Sequence, residues 1–590
     1  MPYRPLLFLL SAISILFAQN ATLVPSPVPQ PTQQTPNQQQ QQPQQPQKDE
    51  PPGTVEGQVV NAITGEPLKK AMLILNPVQQ QADATPYSTT SDASGHFAMS
   101  NIAPGRYRLT ADRTGFVRGD YGSPGPMRPG STLTLSSGQE MKLSIFKMQP
   151  QGVISGRVLD EDGEGIANVQ IQAMTHRYIQ GKRQLVPTGN ASTNDLGEYR
   201  LFGLAPGRYI LTANYRMQFM GQMAADRTAG ARANEPEEGY ATTYYPGTTD
   251  PSGAMPLTVG AGRSMSNTDI KLMRSRTLRI RGRVLNGSSL PAMRTMLMLA
   301  SRDDFGFGFY NRNTTSVRGK DGSFEFRGVA PGAYYLITQY VEDNNRFSAR
   351  VPVDVGNANV DGIEVTLRPG MEIPGTVTIE GDPSGLNLAQ LNVFLQTKDF
   401  NPMGGGSSAR VKDDGTFVLR NISPDTFRAA VFGLNDQVYI KSVRVGPQEA
   451  PNGEVVVVDG APLALTLVLS TAGGQLSGRV SGDKRAPAQG ATVVLVPAAE
   501  KRDQTQLFKT ATTDQNGGFS FKAIAPGSYK LFAWDNIEPG AWQDPEFLAP
   551  LETKGKSVSL KENDVSTADL DLLKTEDSQS STGQSASASP

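Results

Sequence analysis

One motif, a short strand, a tight Pro-containing turn and a second strand, occurs five times in this 590-residue chain and leaves little freedom in its fold. The first copy reads TSDASGHFAMSNIAPGRYRLTA from Thr90 to Ala111, and the others begin at Asp195, Asp321, Asp414 and Asp514. Apolar side chains alternate along both arms, the period of a strand with one buried face. That face is predicted to carry Phe97, Met99 and Ile102, then Tyr107, Leu109 and Ala111. In the later copies it carries Tyr199, Leu201 and Leu204; Phe324, Phe326 and Val329; Phe417, Leu419 and Ile422; and Phe519, Phe521 and Ile524. Between the arms, Pro104, Pro206, Pro331, Pro424 and Pro526 preset a turn angle. Gly105, Gly207, Gly332 and Gly527 are expected to supply a positive φ after it, and the fourth copy has Asp425 there. Asp92 with Gly95, Asp195 with Gly197, and Asp514 with Gly517 read as the entering turn, the carboxylate accepting from backbone N–H groups.

The turn prolines recur every 93 to 125 residues, the length of a β-sandwich and longer than a solenoid repeat. Sixty Gly and 43 Pro fit short strands joined by many turns, and the net charge of −1 provides no basic field for nucleic acid. Residues 1–21, with Arg4 ahead of an apolar run from Leu6 to Phe17, read as a secretory signal peptide. Residues 22–53 are a Pro/Gln-rich spacer and 575–590 a Ser-rich tail, both too polar to bury a core. Between them the expected sandwiches span 54–150, 151–275, 276–369, 370–472 and 473–574, with a mobile loop from Met217 to Gly239 in the second. Joints of only a few residues predict a semi-rigid, elongated string. The chain lacks cysteine, which suits a bacterial periplasm, outer surface or extracellular setting, and no second segment is apolar enough to span a membrane.

Each repeat also opens alike: GTVEGQVVNAITGEPLKKAMLIL from Gly53, GVISGRVLDEDGEGIANVQIQA from Gly152, RIRGRVLNGSSLPAMRTMLML from Arg279, EIPGTVTIEGDPSGLNLAQLNVFL from Glu372 and QLSGRVSGDKRAPAQGATVVLV from Gln475. With the D-x-x-G-x-F turn and the I-A-P-G-x-Y-x-L hairpin, this resembles the carboxypeptidase regulatory-like domain. Copies one, two and five match closely; three and four are degenerate. The resemblance implies an all-β chain of about five transthyretin-like Greek-key sandwiches, a fold grouped with carbohydrate-binding-like domains and the B-type repeats of collagen adhesins.

Catalytic constellations are not apparent. The two histidines, His96 and His176, stand in different repeats without the second His and Glu of a zinc peptidase. The DEDGEG run from Asp160 lacks the distant Glu of a calcium loop and reads as a solvated turn, and Lys69 and Lys70 look exposed rather than poised for an isopeptide bond. No enzyme activity, metal or cofactor is expected. The two tryptophans, Trp534 and Trp542, fall in the segment AWDNIEPGAWQDPEF. Trp534 continues a strand and is equally a core residue, whereas Trp542 follows Pro539 and Gly540 in a loop. Trp534, Trp542 and Asp544 are therefore the candidate carbohydrate site, the rings stacking on sugar faces and the acid bonding hydroxyls. The expected function is an exported, non-catalytic binding or scaffold protein whose partner is a polysaccharide or a cell-surface protein. A structural or adhesive spacer, or an accessory module of an outer-membrane transport or secretion system, is the alternative.

Overall fold

The computed structural model describes residues 51–574 apart from 79–84, 126–127, 180, 216–236, 287–294, 303–312, 318–320, 343, 384, 399–405 and 462. The signal peptide, residues 22–50 of the Pro/Gln spacer, the Ser-rich tail and residues 217–236 of the expected loop lie outside these, and Gly53 at the end of the expected spacer opens the first strand. Loop residues Glu237–Tyr240 form a strand paired antiparallel with Arg274–Thr277.

Every repeat wraps its strands around its own core, in two separate sheets except in the third, where pairing of Phe347–Ser348 with Arg368–Pro369 joins the layers into one eight-stranded sheet. In the first, the opening strand Gly53–Asn61 lies between His96–Ile102, which runs antiparallel, and the closing strands Glu140–Lys142 and Phe146–Met148, which run parallel to it. The second sheet pairs Tyr87–Thr90 with Met72–Pro77, then Gly105–Asp112, then Leu133–Leu135. The opening strands Gly152–Leu159, Arg274–Asn286, Met371–Glu380 and Gly474–Ser481 are likewise flanked by an antiparallel hairpin arm on one side and a parallel closing strand on the other. All the alternating residues singled out above are buried, in five separate apolar clusters. The glycine of the opening strand answers a packing need. A Cβ at Gly282 would stand 2.0 Å from the Ile363 carbonyl, and one at Gly375 2.2 Å from the Phe417 ring.

The hairpin turn differs from expectation. Gly332 (159°) and Gly527 (157°) have the expected positive φ but Gly105 and Gly207 do not, and in all five copies a further positive φ falls four residues earlier, at Asn101 (58°), Gly203 (76°), Gly328 (69°), Asn421 (60°) and Ala523 (49°). There each hairpin arm bulges against the opening strand, an extra residue shifting the register between Gly53 and Val55 and at the matching places elsewhere. The turn itself is held by a tyrosine. Tyr107, Tyr209, Tyr334 and Tyr529 donate their hydroxyls to the carbonyls of Ala103, Ala205, Ala330 and Ala525, at 2.5 to 2.9 Å. In the fourth repeat Phe427 stands at that position.

The entering turns are capped as argued in the first and fifth copies, where Asp92 Oδ1 accepts from the N–H groups of Ser94 and His96 and Asp514 Oδ1 from those of Asn516 and Gly518. In the second copy Asn194, not Asp195, does this, accepting from Leu196 and Glu198. Asp160 similarly accepts from Asp162 and Glu164, so the DEDGEG turn is bonded to its own backbone.

The described residues belong to one compact unit, in which domains far apart in sequence touch, contacts that a string of independent sandwiches would lack. The fifth domain packs against the first, where Thr132 and Asp514 form a β-bridge and the Gln515 side chain bonds both the N–H and the carbonyl of Thr134. It also packs against the second, where Gly540 and the backbone of Tyr178 approach so closely that a Cβ on the glycine would lie 2.9 Å from the Tyr178 carbonyl. Neighbouring domains are pinned as well. Arg350 of the third pairs with Asp425 of the fourth at 3.3 Å, and Lys441 of the fourth reaches Glu562 of the fifth at 3.3 Å. Short joints fix only the angle between successive domains, so the sequence pattern carries no signal for contacts between first and fifth.

A candidate binding cleft where three domains meet

The second domain departs from the others in one hairpin. Its strands Val169–Ile179 and Lys182–Ser192 are eleven residues each, against six and four for Met72–Pro77 and Tyr87–Thr90 in the first domain. The inner half is laddered on both sides, pairing with Gly207–Tyr215 as far as Met174 opposite Ile210. Beyond that point the hairpin leaves the sheet. A bulge between Ala173 and Met174, where Thr188 is the extra residue and bonds the Ala173 carbonyl at 3.1 Å, bends it away. Thr175–Ile179 and Lys182–Val186 thus form a two-stranded arm diverging from Gly207–Tyr209, and a cleft of about 890 Å³ opens beside it.

The fifth domain closes the other side of this cleft. Its strand Thr492–Pro497, sequence TVVLVP, is buried on both faces because the segment after Trp534 folds back over the sheet's outer surface. That covering layer consists of Ile537, Ala541, Leu548 and Leu551 on Val494, Val496, Phe532 and Trp534. Trp534 is fully buried, its ring stacked on Phe532 at 5.2 Å and 11°. Among the described residues its indole Nε1 meets no hydrogen-bond acceptor, a loss of about 1 to 3 kcal/mol that the stacking and burial of so large a ring must offset. Trp542 is half-buried against the same layer, and Asp544 caps the short helix Pro545–Leu548 by accepting from the Glu546 N–H at 2.9 Å. The three candidate residues therefore sit in one segment with different surroundings, Trp534 inside, Trp542 half-buried and Asp544 engaged by the backbone, and none of them lines the cleft itself.

Cleft walls come from all three domains and are cationic. Arg128 of the first, Arg177, Arg183 and Arg208 of the second, and His176 line it, with Glu538 the one carboxylate among the lining residues. Arg128 bonds the Ile537 carbonyl across the junction. Burial lowers the Arg128 pKa, Glu538 opposes that shift, and Arg177 adds to it. His176 is held below the usual histidine value by burial and by the charges of Arg183 and Arg208, so at neutral pH its imidazole is uncharged. The rings of Tyr178 and Phe547 meet here at 6.5 Å and 60°. Burial raises the Tyr178 phenol, and Asp544 adds to the effect while Arg183 opposes it. Among the described residues no group of three or more His, Asp or Glu side chains is placed to hold a metal ion. No described helix is long and apolar enough to cross a membrane.

The sequence reading reached the aromatic segment of the fifth domain but not the arginines opposite it. Nothing in the run HRYIQGKRQ marks the arm, because both of its faces are polar or half-exposed and no alternation survives.

The model of the carboxypeptidase regulatory-like domain matches three segments, residues 54–148, 153–222 and 475–572. These lie in the first, second and fifth sandwiches, the three that meet at the cleft. No curated protein matches the chain in sequence. Among solved structures it is similar to the Bacillus anthracis TIE protein, at 11% identity over 54% of this chain and 51% of that one, with a TM-score of 0.16. It is also similar to GBS52, the minor pilin of Streptococcus agalactiae (12% identity, 38% and 96% covered, TM-score 0.22). A third is the pair of B repeat units of the Staphylococcus aureus collagen binding protein (10% identity, 71% and 99% covered, TM-score 0.12).

Proposed function

We propose that this is an exported, non-catalytic binding scaffold of the cell envelope, and that the ligand it holds is a polysaccharide. The observation that carries the reading is the cleft at the junction of the first, second and fifth domains, where guanidinium groups and aromatic rings line one concavity of about 890 Å³. A sugar chain suits such a surface, since ring faces stack on aromatics while hydroxyls take directional hydrogen bonds. Trp542 and Asp544 belong to the same segment as the lining residues Ala541 and Phe547, and Trp534 packs beside Phe547 at 6.3 Å, which supports including them in the reading.

A glycan array probed with the mature chain tests the reading, and Trp542→Ala sharpens it. The substitution should weaken polysaccharide binding at least tenfold while moving the thermal midpoint little, because the ring is only half-buried. If the variant binds normally and instead loses a few kcal/mol of stability, the segment is a structural cover and the protein a spacer. The spacer reading has one observation of its own in the full burial of Trp534.

A further inference from the structure

We infer that the cleft between the second domain's arm and the fifth domain selects an acidic polysaccharide, a chain of sugars that carry carboxylates. This deepens the polysaccharide reading and rests on it. Four arginines line the cleft with one lining carboxylate, Glu538, and Asp544 and Glu546 lie close enough to act on Tyr178, so the arginine side of the concavity is cationic although the chain as a whole carries −1. One wall shows this potential beside the geometry: the His176 imidazole is depressed first by burial and then by Arg183 and Arg208 together, whereas at Arg128 the charge of Glu538 outweighs that of Arg177. Concentrating like charge in a concave, half-desolvated site is unfavourable unless an anion relieves it.

The geometry favours a sugar as the bearer of that anion. Guanidinium groups bind carboxylates in a planar, two-bond arrangement. Arg183 stands on the arm and Arg208 on the opposite wall, with the rings of Tyr178 and Phe547 between the arm and the fifth domain. A uronic acid offers both partners at once, a carboxylate for an arginine and an apolar ring face for an aromatic. An acidic peptide offers the charge without the stacking face, and a neutral glycan the face without the charge.

Isothermal calorimetry on the mature chain tests this with three probes, oligogalacturonate, a neutral galactose oligomer of equal length and poly-glutamate. Oligogalacturonate should bind at least tenfold more tightly than either of the others. The double variant Arg183→Gln/Arg208→Gln should weaken it a further tenfold or more. Both side chains are exposed, and an unchanged thermal midpoint will show that the fold is intact. Equal binding by the double variant, or poly-glutamate binding as tightly as oligogalacturonate, overturns the inference. Binding of the neutral oligomer alone overturns it too and leaves the polysaccharide reading standing, whereas failure of every glycan on the array removes both.

Discussion

Asp425 shows how a residue that breaks a repeat can be the one with a separate task. The other four copies have glycine at this position, and the sequence suggested an awkward left-handed aspartate. In the structure the left-handed residue is Asn421, and Asp425 lies in an ordinary strand, its carboxylate turned to Arg350 of the preceding domain. Asn421 serves the same junction, accepting from the Arg346 N–H at 2.8 Å and donating to the Asn344 carbonyl at 3.0 Å. The pair Arg350 and Asp425 is 24% and 14% exposed, and Arg350 also lies over the Tyr335 ring at 3.9 Å. Asp425→Gly, which restores the repeat, should therefore cost about 1 to 3 kcal/mol at the junction, measurable by denaturant unfolding of the whole chain. A second prediction concerns the capping carboxylates. Hydrogen bonds from Ser94, Ser323 and Thr416 hold Asp92, Asp321 and Asp414 below the usual carboxylate range. Their folded pKa is below the unfolded value, so their contribution is present above about pH 4 and lost as pH falls through the folded value. Thermal midpoints recorded from pH 6 down to 2 should drop in that acid window, and the drop should shrink in Asp92→Asn.

At the scale of elements, legibility follows the hydrophobic period. The hairpins and their buried faces could be read because period two is imposed by the pleat, and a slip of one residue would turn the whole apolar set outward. Phe519 shows what that register is worth. It packs on Phe521 with ring centroids 5.8 Å apart, inside the fifth domain's core. Phe519→Ala should cost about 3 to 5 kcal/mol, read as early unfolding of the fifth domain in calorimetry; a loss below about 1 kcal/mol would contradict this packing. Where a strand is buried on both faces, or on neither, the period vanishes. Trp534 stood equally for core and for site because TVVLVP and the strand beside it are covered from both sides. The arm of Thr175–Ile179 and Lys182–Val186 escaped notice because it is covered by neither sheet. The positive φ expected at Gly105 and Gly207 is missing, and the one shared by all five copies was overlooked, for another reason. A-P-G looks like the sharp turn, but the bulge four residues earlier absorbs the extra residue and so needs the unusual angle.

For the molecule as a whole, the closure of the fifth domain on the first is the feature that most limits motion. The chain has no cysteine, so the contact can be interrogated without background. With Thr134→Cys and Gln515→Cys in one chain, a short bis-maleimide should link the two thiols, retarding the denatured chain as a closed loop; absence of that species would refute the contact. A different consequence follows from how each sandwich begins and ends. Opening and closing strands lie side by side and parallel, so a pull transmitted along the chain drags the two in opposite directions along their common axis. Every rung is then loaded at once, and the ladder shears rather than unzips. Rung numbers differ: six residue pairs join opening and closing strands in the fourth domain, Gly375–Glu380 with Leu465–Ser470, but only four in the second. Under mechanical load the second sandwich is therefore the fuse, and because it carries the arm, tension along the chain would dismantle the cleft before it broke the array.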